Sequence, residues 1–76
     1  ENEYMLSARL EIDKVNDLFD LGLPESDDYM TVGGYILHEY QSFPKLNEVI
    51  TIGRYEFRII KSTMTKIELV KLKVSR

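Results

Sequence analysis

Residues 48–60 read EVITIGRYEFRII, and this stretch restricts the possible folds more than any other part of the sequence. Two apolar runs flank Gly53-Arg54, and a glycine at the first position of a two-residue turn is typical of a type II′ β-hairpin. In the second run apolar and charged residues alternate, which predicts one buried and one solvated face. Glu56 and Arg58 are expected to face outward, and the residues expected to face inward are Tyr55, Phe57 and Ile59.

A further strand is predicted at residues 66–74, KIELVKLKV, although its alternation changes phase in the middle. Ile67 and Leu69 share one face, and the opposite face then holds Val70, Leu72 and Val74. A β-bulge near Leu69-Val70 would return these apolar residues to one buried face. The alternative is a strand that is covered on both faces, and we expect the bulge.

The first strand is predicted at residues 4–12, YMLSARLEI, where apolar and polar residues alternate. Asp13 suits the N-cap of a helix, and the Gly-Leu-Pro sequence at 22–24 is typical of a helix end. We therefore expect a first helix at residues 14–21. Its buried face is predicted to carry Val15, Leu18 and Phe19.

A second helix is predicted behind Thr31, whose hydroxyl suits an N-cap. Its first turn contains Gly33 and Gly34, each of which lowers helix propensity by about 1 kcal/mol relative to alanine. We expect Gly33 on the buried face, where the missing Cβ lets the helix approach the layer beneath it. Gly34, Tyr35 and His38 are expected on the outer face, with Gly34 either exposing backbone amides or being merely tolerated. The other residues of the predicted buried face are Val32, Ile36, Leu37 and Tyr40.

The predicted order is β-α-α-β-β-β, with polar connections at 24–30 and 41–47. This order favours an α+β fold in which two helices pack on one face of a four-stranded, mainly antiparallel sheet. Short connections predict that the last three strands form an antiparallel meander. The position of the first strand in the sheet stays open.

Composition excludes several classes of protein. The net charge of −3 argues against general nucleic-acid binding and against lying on an anionic membrane. The chain has no cysteine, which excludes disulfides and thiolate metal sites. No apolar run approaches the ~18 residues that a membrane span needs. Because the chain begins at Glu1 without a methionine, we expect residues 1–76 to be one domain of a longer protein.

Candidate site residues carry weak signals. Asp27-Asp28 with Glu25 offers oxygen ligands for a hard cation, but the calcium-loop spacing is missing and a solvated loop is the preferred interpretation. His38, the only histidine, lacks a nucleophile or further ligands in the pattern. It is interpreted as a surface residue, or as part of a partner-contact patch with Tyr35.

Two further patterns have structural explanations. The Gly33-Gly34 amides suggest anion capture at a helix terminus, but neither the dinucleotide spacing nor the Walker lysine is present, and tight packing is preferred. The C-terminal third is basic, which we attribute to the solvated face of a strand and to edge lysines. Its basic residues include Lys61, Lys66, Lys71, Lys73 and Arg76.

Three segments in order resemble a known module: LEIDKVNDLFDLGLP, DDYMTVGGYIL and FPKLNEVITIGRYEFRII. Together they are similar to the transporter-associated domain of the CorC/HlyC family over about residues 6–74. The resemblance implies a C-terminal domain on the cytoplasmic side of a larger membrane protein, after transmembrane and CBS regions that would be its partners. The parents implied are magnesium and cobalt efflux proteins or haemolysin-like proteins, and a similar domain ends some sodium/proton antiporters.

The resemblance implies no catalytic residue, and the sequence shows no cofactor motif or metal-ligand set. We therefore expect a non-enzymatic regulatory domain of an ion transporter that acts through domain contacts or a small ligand, without nucleic-acid binding or membrane insertion of its own. A nucleotide- or flavin-binding module, by analogy with a subdomain of FAD-binding oxidoreductases, and an oligomerisation domain are the alternatives. The candidate contact residues are Asp27, Asp28, Tyr29, Thr31, Gly34, Tyr35 and His38.

Overall fold

The structure, a computed structural model, describes residues 2–75, so the predictions that involve Glu1 and Arg76 lie outside the described residues. The element order β-α-α-β-β-β is confirmed. The sheet is antiparallel, with strand order β1-β4-β3-β2, so the predicted meander is confirmed and β1 lies at the edge beside β4. The elements are β1 (Glu3–Ser7), α1 (Ile12–Phe19), α2 (Val32–Tyr40), β2 (Val49–Ile52), β3 (Tyr55–Ser62) and β4 (Ile67–Val74).

The helices cover one face of the sheet, which confirms the predicted α+β layers. Phe57 is fully buried on the inner strand β3, and the ring of Tyr35 from α2 meets it edge-on with centroids 6.0 Å apart. Met5, Arg58 and Lys73 are exposed on the opposite face. The fully buried residues of both layers are Leu6, Ile12, Val15, Val32, Tyr35, Ile36, Phe57, Ile59, Val70 and Leu72.

The hairpin between β2 and β3 has the predicted turn. Gly53 has a φ of +59°, a left-handed value that glycine adopts without steric cost, whereas Arg54 does not have a positive φ. A positive φ at the first turn residue alone is the signature of type II′. The predicted inward residues Tyr55, Phe57 and Ile59 are buried.

The predicted irregularity in the last strand is confirmed. The register between β3 and β4 shifts twice after Ile59. Ile67 and Val70 consequently both lie buried on the helical side, while Leu69 between them is half-buried. The bulge therefore restores one buried face, and the alternative of a strand covered on both faces is wrong.

The first strand is shorter than predicted, because β1 ends at Ser7 rather than continuing to residue 12. The chain turns here: Leu10 donates its backbone N–H to the carbonyl of Ser7 at 3.2 Å, and the carbonyl of Ala8 accepts from Gly33 at 2.8 Å. The apolar–polar alternation thus runs on through a turn, where long-range backbone hydrogen bonds and not strand pairing decide the conformation.

The start of α1 also differs from the prediction. Glu11 occupies the N-cap position without a side-chain capping bond, and Asp13 lies in the first turn, so its assignment as the N-cap is wrong. The amide of Ile12 instead donates to the carbonyl of Met30 at 2.8 Å. A distant backbone carbonyl therefore satisfies a helix-start donor that sequence reasoning gave to a local side chain.

The end of α1 explains why its buried face was mispredicted. The helix ends at Phe19 rather than at residue 21, so Gly22 does not follow it directly. The Asn16 side chain then holds the backbone of Leu23, accepting from its N–H at 2.8 Å and donating to its carbonyl at 2.9 Å. This contact brings Leu21 and Leu23 into the core. Leu18, which is 68% exposed, and Phe19, which is 40% exposed, do not form the buried face predicted for them.

The buried face of α2 is centred differently from the prediction. Tyr35 is only 2% exposed, so its placement on the outer face is wrong, whereas Tyr40 is exposed and not buried as predicted. Val32, Tyr35 and Ile36 stand at positions i, i+3 and i+4, which form one helical stripe. The stripe is centred on Tyr35 because the Tyr35 ring packs against Phe57 in the sheet.

The N-cap of α2 is as predicted. The Thr31 hydroxyl accepts a hydrogen bond from the backbone N–H of Gly34 at 3.0 Å. This bond satisfies one of the amide donors that every helix start leaves without an intrahelical partner.

We predict that Thr31→Ala lowers the free energy of unfolding by about 1 kcal/mol, since the capping acceptor is lost. Urea unfolding followed by circular dichroism measures the change. Thr31→Ser keeps the hydroxyl and should recover most of the loss. Thr65→Ala removes an exposed threonine and should change the free energy by at most about 0.5 kcal/mol. Equal losses in Thr31→Ala and Thr65→Ala would contradict the capping role.

Glu48 organises the connection between α2 and β2. Its carboxylate accepts hydrogen bonds from the Tyr40 hydroxyl and, at 2.7 Å, from the backbone N–H of Lys45. The bond from Tyr40, followed by that from Lys45, holds the pKa of Glu48 below its ordinary value of 4.5. A lowered pKa in the folded state means that the carboxylate adds stability above its ordinary pKa. That contribution is lost as the pH falls through the folded value.

We predict that Glu48→Gln makes the unfolding free energy fall less steeply with pH below about 4.5 than it does in the wild type, because a glutamine does not bind this proton. Urea unfolding at several pH values between 3 and 7 measures the slope. Glu56→Gln removes a carboxylate from the open sheet face and serves as the matched control. An unchanged acid slope in Glu48→Gln would contradict the assignment.

Candidate contact surface on the helical side

Gly33 holds the helical layer close to the start of the chain. Its amide donates to the carbonyl of Ala8 at 2.8 Å. A Cβ at Gly33 would lie 3.2 Å from both the Cβ and the carbonyl oxygen of Ala8, which is tighter than ordinary van der Waals contact. The prediction that Gly33 is buried and permits close packing is therefore confirmed.

The amides at the start of α2 all have partners. Val32 donates to the carbonyl of Leu10 at 2.9 Å, Gly33 donates to Ala8, and Gly34 donates to the Thr31 hydroxyl. The hypothesis that the Gly33-Gly34 amides capture an anion is therefore wrong, because each of these donors already has a hydrogen-bond acceptor within the protein. Gly34 instead leaves room for the cap, since a Cβ there would lie 3.2 Å from the Thr31 Oγ1 and 3.3 Å from the Cβ of Tyr29.

The loop before α2 is fastened to the helix by aromatic contacts. The ring of Tyr29 lies 5.1 Å from the ring of Tyr35 and 5.3 Å from that of His38. Its hydroxyl donates to the carbonyl of Pro24 at 2.9 Å, and an isolated β-bridge joins Ser26 to Tyr29. These tilted aromatic contacts favour a single arrangement, so the loop is held in place although most of its residues are exposed.

His38 stands between two carboxylates at the surface. Its Nε2 lies 3.6 Å from an Asp28 oxygen, and its Nδ1 lies 3.6 Å from a Glu39 oxygen. Its side chain is 42% exposed, which agrees with the predicted surface position. In the buried Tyr35, the pKa of the hydroxyl is raised to about 12, chiefly by burial and next by the Glu39 carboxylate.

The structure thus brings together some predicted contact residues and separates others. Asp28, Tyr29 and His38 form one cluster, and Asp27 lies in the same loop with its side chain exposed. Tyr35 supports the cluster from below and is not available at the surface. Thr31 and Gly34 are engaged with each other in the helix cap. We call Asp27, Asp28, Tyr29 and His38 the loop surface.

Sequence reasoning missed an acidic groove beside the loop surface. It has a volume of about 310 Å³ and is formed where the start of α1 meets the loop. The isolated bridge between Glu11 and Thr31 joins these two segments, and no local pattern signals a pairing across 20 residues. The groove is lined by acidic and hydroxyl side chains that include Glu11, Asp13, Glu25, Ser26, Asp27 and Tyr29.

Neither metal-binding nor membrane-spanning geometry is seen in the part of the chain that the structure describes. Over residues 2–75, no three His, Asp or Glu side chains converge as a metal ion would require, and this includes the Asp27-Asp28 and Glu25 candidates. Over the same range, neither helix has the length and hydropathy needed to cross a bilayer.

Comparison with curated proteins points to one family. The model of the transporter-associated domain family CorC_HlyC matches residues 1–76. Hemolysin C of Brachyspira hyodysenteriae is 33% identical over 76 residues, which are 96% of this chain and 28% of that protein. A polyamine export protein of Haemophilus influenzae is 22% identical over 71 residues, which are 92% of this chain and 16% of that protein. The chain therefore spans less than a third of the length of these relatives.

A solved structure shares the fold. The "Mg2+ and Co2+ transporter(CorC)associated region" from Neisseria meningitidis superposes with a TM-score of 0.86 at 20% identity, over 97% of this chain and 90% of that chain. The structural likeness agrees with the family match, which covers the whole chain and confirms the resemblance seen in the three sequence segments. The chain belongs to the CorC/HlyC family of transporter-associated domains.

Proposed function

We propose that this chain is a non-enzymatic regulatory domain on the cytoplasmic side of a membrane-bound cation transporter. The names of its relatives support the class of cargo, since one is named a polyamine export protein and a solved neighbour is named after a Mg²⁺ and Co²⁺ transporter. The chain corresponds to only 16% and 28% of the curated relatives. Transport itself is therefore assigned to the remainder of the parent, with transmembrane and CBS regions as the partners of this domain.

The observation that carries the proposal is the loop surface. Tyr29 is fixed against α2 on one side, so the loop presents Asp27 and Asp28 to solvent from an ordered backbone, beside His38 of α2. A charged surface that is already ordered loses little conformational freedom on binding. If the parent transporter has two states and the loop surface binds another part of it more tightly in one of them, that state becomes more populated. The size of the shift is set by the difference between the two binding affinities.

The test uses the full-length parent. Asp27→Asn with Asp28→Asn removes two carboxylates from the loop surface and should change the transport rate at least threefold while the domain stays folded. Asp17→Asn with Glu56→Gln removes two exposed or half-exposed carboxylates elsewhere and should leave the rate unchanged. An unchanged transport rate in the loop variant, with circular dichroism showing a folded domain, would contradict the proposal.

A thermal-shift experiment distinguishes contact regulation from the nucleotide or flavin alternative. A ligand present at 100 times its dissociation constant stabilises a protein by about 2.7 kcal/mol. We expect no shift with FAD, FMN, AMP or ATP, because the first-turn amides of α2 are occupied. A concentration-dependent rise in melting temperature with any of them would replace the proposal by a ligand-binding function.

A further inference from the structure

Charge is divided unevenly between the two layers of the domain. Residues 8–40, which contain both helices and their loops, have two basic and eight acidic side chains, a net charge of −6. Residues 41–75, which contain three of the four strands, have seven basic and three acidic side chains, a net charge of +4. The segment that contains both helices is therefore strongly acidic, and the segment that contains β2, β3 and β4 is basic.

The open face of the sheet carries a defined row of side chains. Met5 pairs with Lys71, Lys71 with Arg58, and Arg58 with Val49, so one residue from each strand lies in a line across the sheet. Adjacent strands lie about 4.8 Å apart. Met5 is 59% and Val49 41% exposed. We call these four residues the sheet row, in which two cations stand between two exposed apolar side chains.

The two cations of the sheet row repel each other. Like charges directly opposite each other on neighbouring strands destabilise a sheet. Lys71 is compensated by Glu3, whose carboxylate lies 3.1 Å from its Nζ. Arg58 is exposed and, among residues 2–75, has no carboxylate within 4 Å of its guanidinium. The open face thus presents a cation that forms no ion pair with the described residues 2–75.

We propose that the sheet row of one copy of this chain binds the acidic helical side of a second copy, head to tail. The occupant follows from charge complementarity, since the helical side of the same chain carries the net −6. Two identical sheet faces placed against each other would bring Arg58 and Lys71 close to their own copies, and like charges brought together at an interface cost several kcal/mol. A head-to-tail contact avoids this and leaves one free surface at each end, so it extends into larger assemblies or closes into a ring.

An anionic membrane fits the open face less well than an acidic protein surface does. On this face Glu3 and Glu56 lie among Arg58, Lys71 and Lys73, and an ion pair joins Glu3 to Lys71. A broad positive field, which attracts lipid headgroups, is therefore not formed. Recognition depends instead on the adjacent cations Arg58 and Lys71, which lie between the exposed apolar side chains of Met5 and Val49.

The first experiment is sedimentation equilibrium of residues 1–76 in 0.1 M and 1 M NaCl. This chain covers 90% of the solved Neisseria meningitidis chain, so a domain of nearly this length has been solved as a separate chain. We expect self-association that weakens at least tenfold in 1 M salt, where the Debye length falls from about 10 Å to about 3 Å. A monomer at every concentration in 0.1 M NaCl would overturn the proposal, and so would association that is insensitive to salt.

The second experiment exchanges charges. Arg58→Glu places a carboxylate opposite Lys71 and relieves the repulsion, so it should abolish association while unfolding at no lower urea concentration than the wild type. Asp13→Lys with Asp27→Lys should also abolish association, because it reduces the net charge of residues 8–40 from −6 to −2. Lys66→Glu, an equal change of charge in the β3–β4 connection, serves as the control and should associate normally.

Mixing the two reversed variants provides the decisive readout. Each has lost one side of its own contact, but together they still offer the original pair, the unchanged sheet row of one variant and the unchanged helical side of the other. Equimolar Arg58→Glu and Asp13→Lys/Asp27→Lys should therefore associate although neither does so alone. Failure of the mixture to associate would contradict the proposal. Binding of the wild type to phosphatidylserine vesicles without self-association would also overturn it.

Discussion

Gly33→Val should lower the free energy of unfolding by about 2–3 kcal/mol, because extra methyl groups in a packed site force neighbouring atoms apart. The Cβ alone would lie 3.2 Å from the Ala8 carbonyl oxygen, a backbone atom that also accepts the Gly33 amide at 2.8 Å. Moving Ala8 away would lengthen this hydrogen bond. The gain in helix propensity over glycine, under 1 kcal/mol, is smaller than the packing cost.

The comparison for Gly33→Val is Glu39→Val, which introduces the same side chain at an exposed position of the same helix. Urea unfolding should show a change of at most about 0.5 kcal/mol there. A Gly33→Val protein as stable as the wild type would mean that the helical layer does not depend on close approach to Ala8.

Phe57→Ala should lower the free energy of unfolding by about 3–5 kcal/mol. Phe57 is fully buried on an inner strand and meets the ring of Tyr35 edge-on, so truncation removes apolar contacts from both layers and leaves a cavity. A domain of this size has a total stability of roughly 4–11 kcal/mol at 0.05–0.15 kcal/mol per residue. The variant is therefore expected to be partly unfolded at 37 °C.

Phe43→Ala is the matched control, because Phe43 is 43% exposed in the loop before β2. The same deletion of a phenyl ring should cost less than about 1 kcal/mol there, since much of the ring already contacts water. Similar melting temperatures for Phe57→Ala and Phe43→Ala would contradict the assigned core.

The features that sequence reasoning predicted correctly depend on local chemistry. The Gly53 turn, the Thr31 cap and the position of Gly33 each follow from one residue type at one spacing. The bulge in β4 follows from a break in alternation that an extra residue repairs. These signals lie within a few residues of the structure that they determine.

The features that it predicted incorrectly depend on distant partners. The first amide of α1 is satisfied by Met30, and the segment after the helix is held by Asn16, so neither end of α1 follows its local pattern. Tyr35 faces inward because Phe57, 22 residues later, offers a ring to pack against. Tyrosine occurs both in cores and at surfaces, so the residue type alone does not place Tyr35. Only its tertiary contact with Phe57 does so.

The candidate site was predictable only in part for the same reason. The loop residues Asp28 and Tyr29 were identified from a run of polar residues before a helix cap, and they do meet His38. The acidic groove formed with Glu11 and Asp13 was not identified, because it arises from the meeting of two segments that are separate in sequence.

The central claim is that the first turn of α2 closes on the backbone of residues 8–10 and leaves no amide for a ligand. Amide hydrogen exchange followed by NMR tests this claim most directly. The amides of Val32 and Gly33 should exchange as slowly as those of the inner strands β3 and β4, with or without phosphate or FAD. Exchange at the rate of an unstructured chain, or protection that appears only after such a ligand is added, would contradict the account.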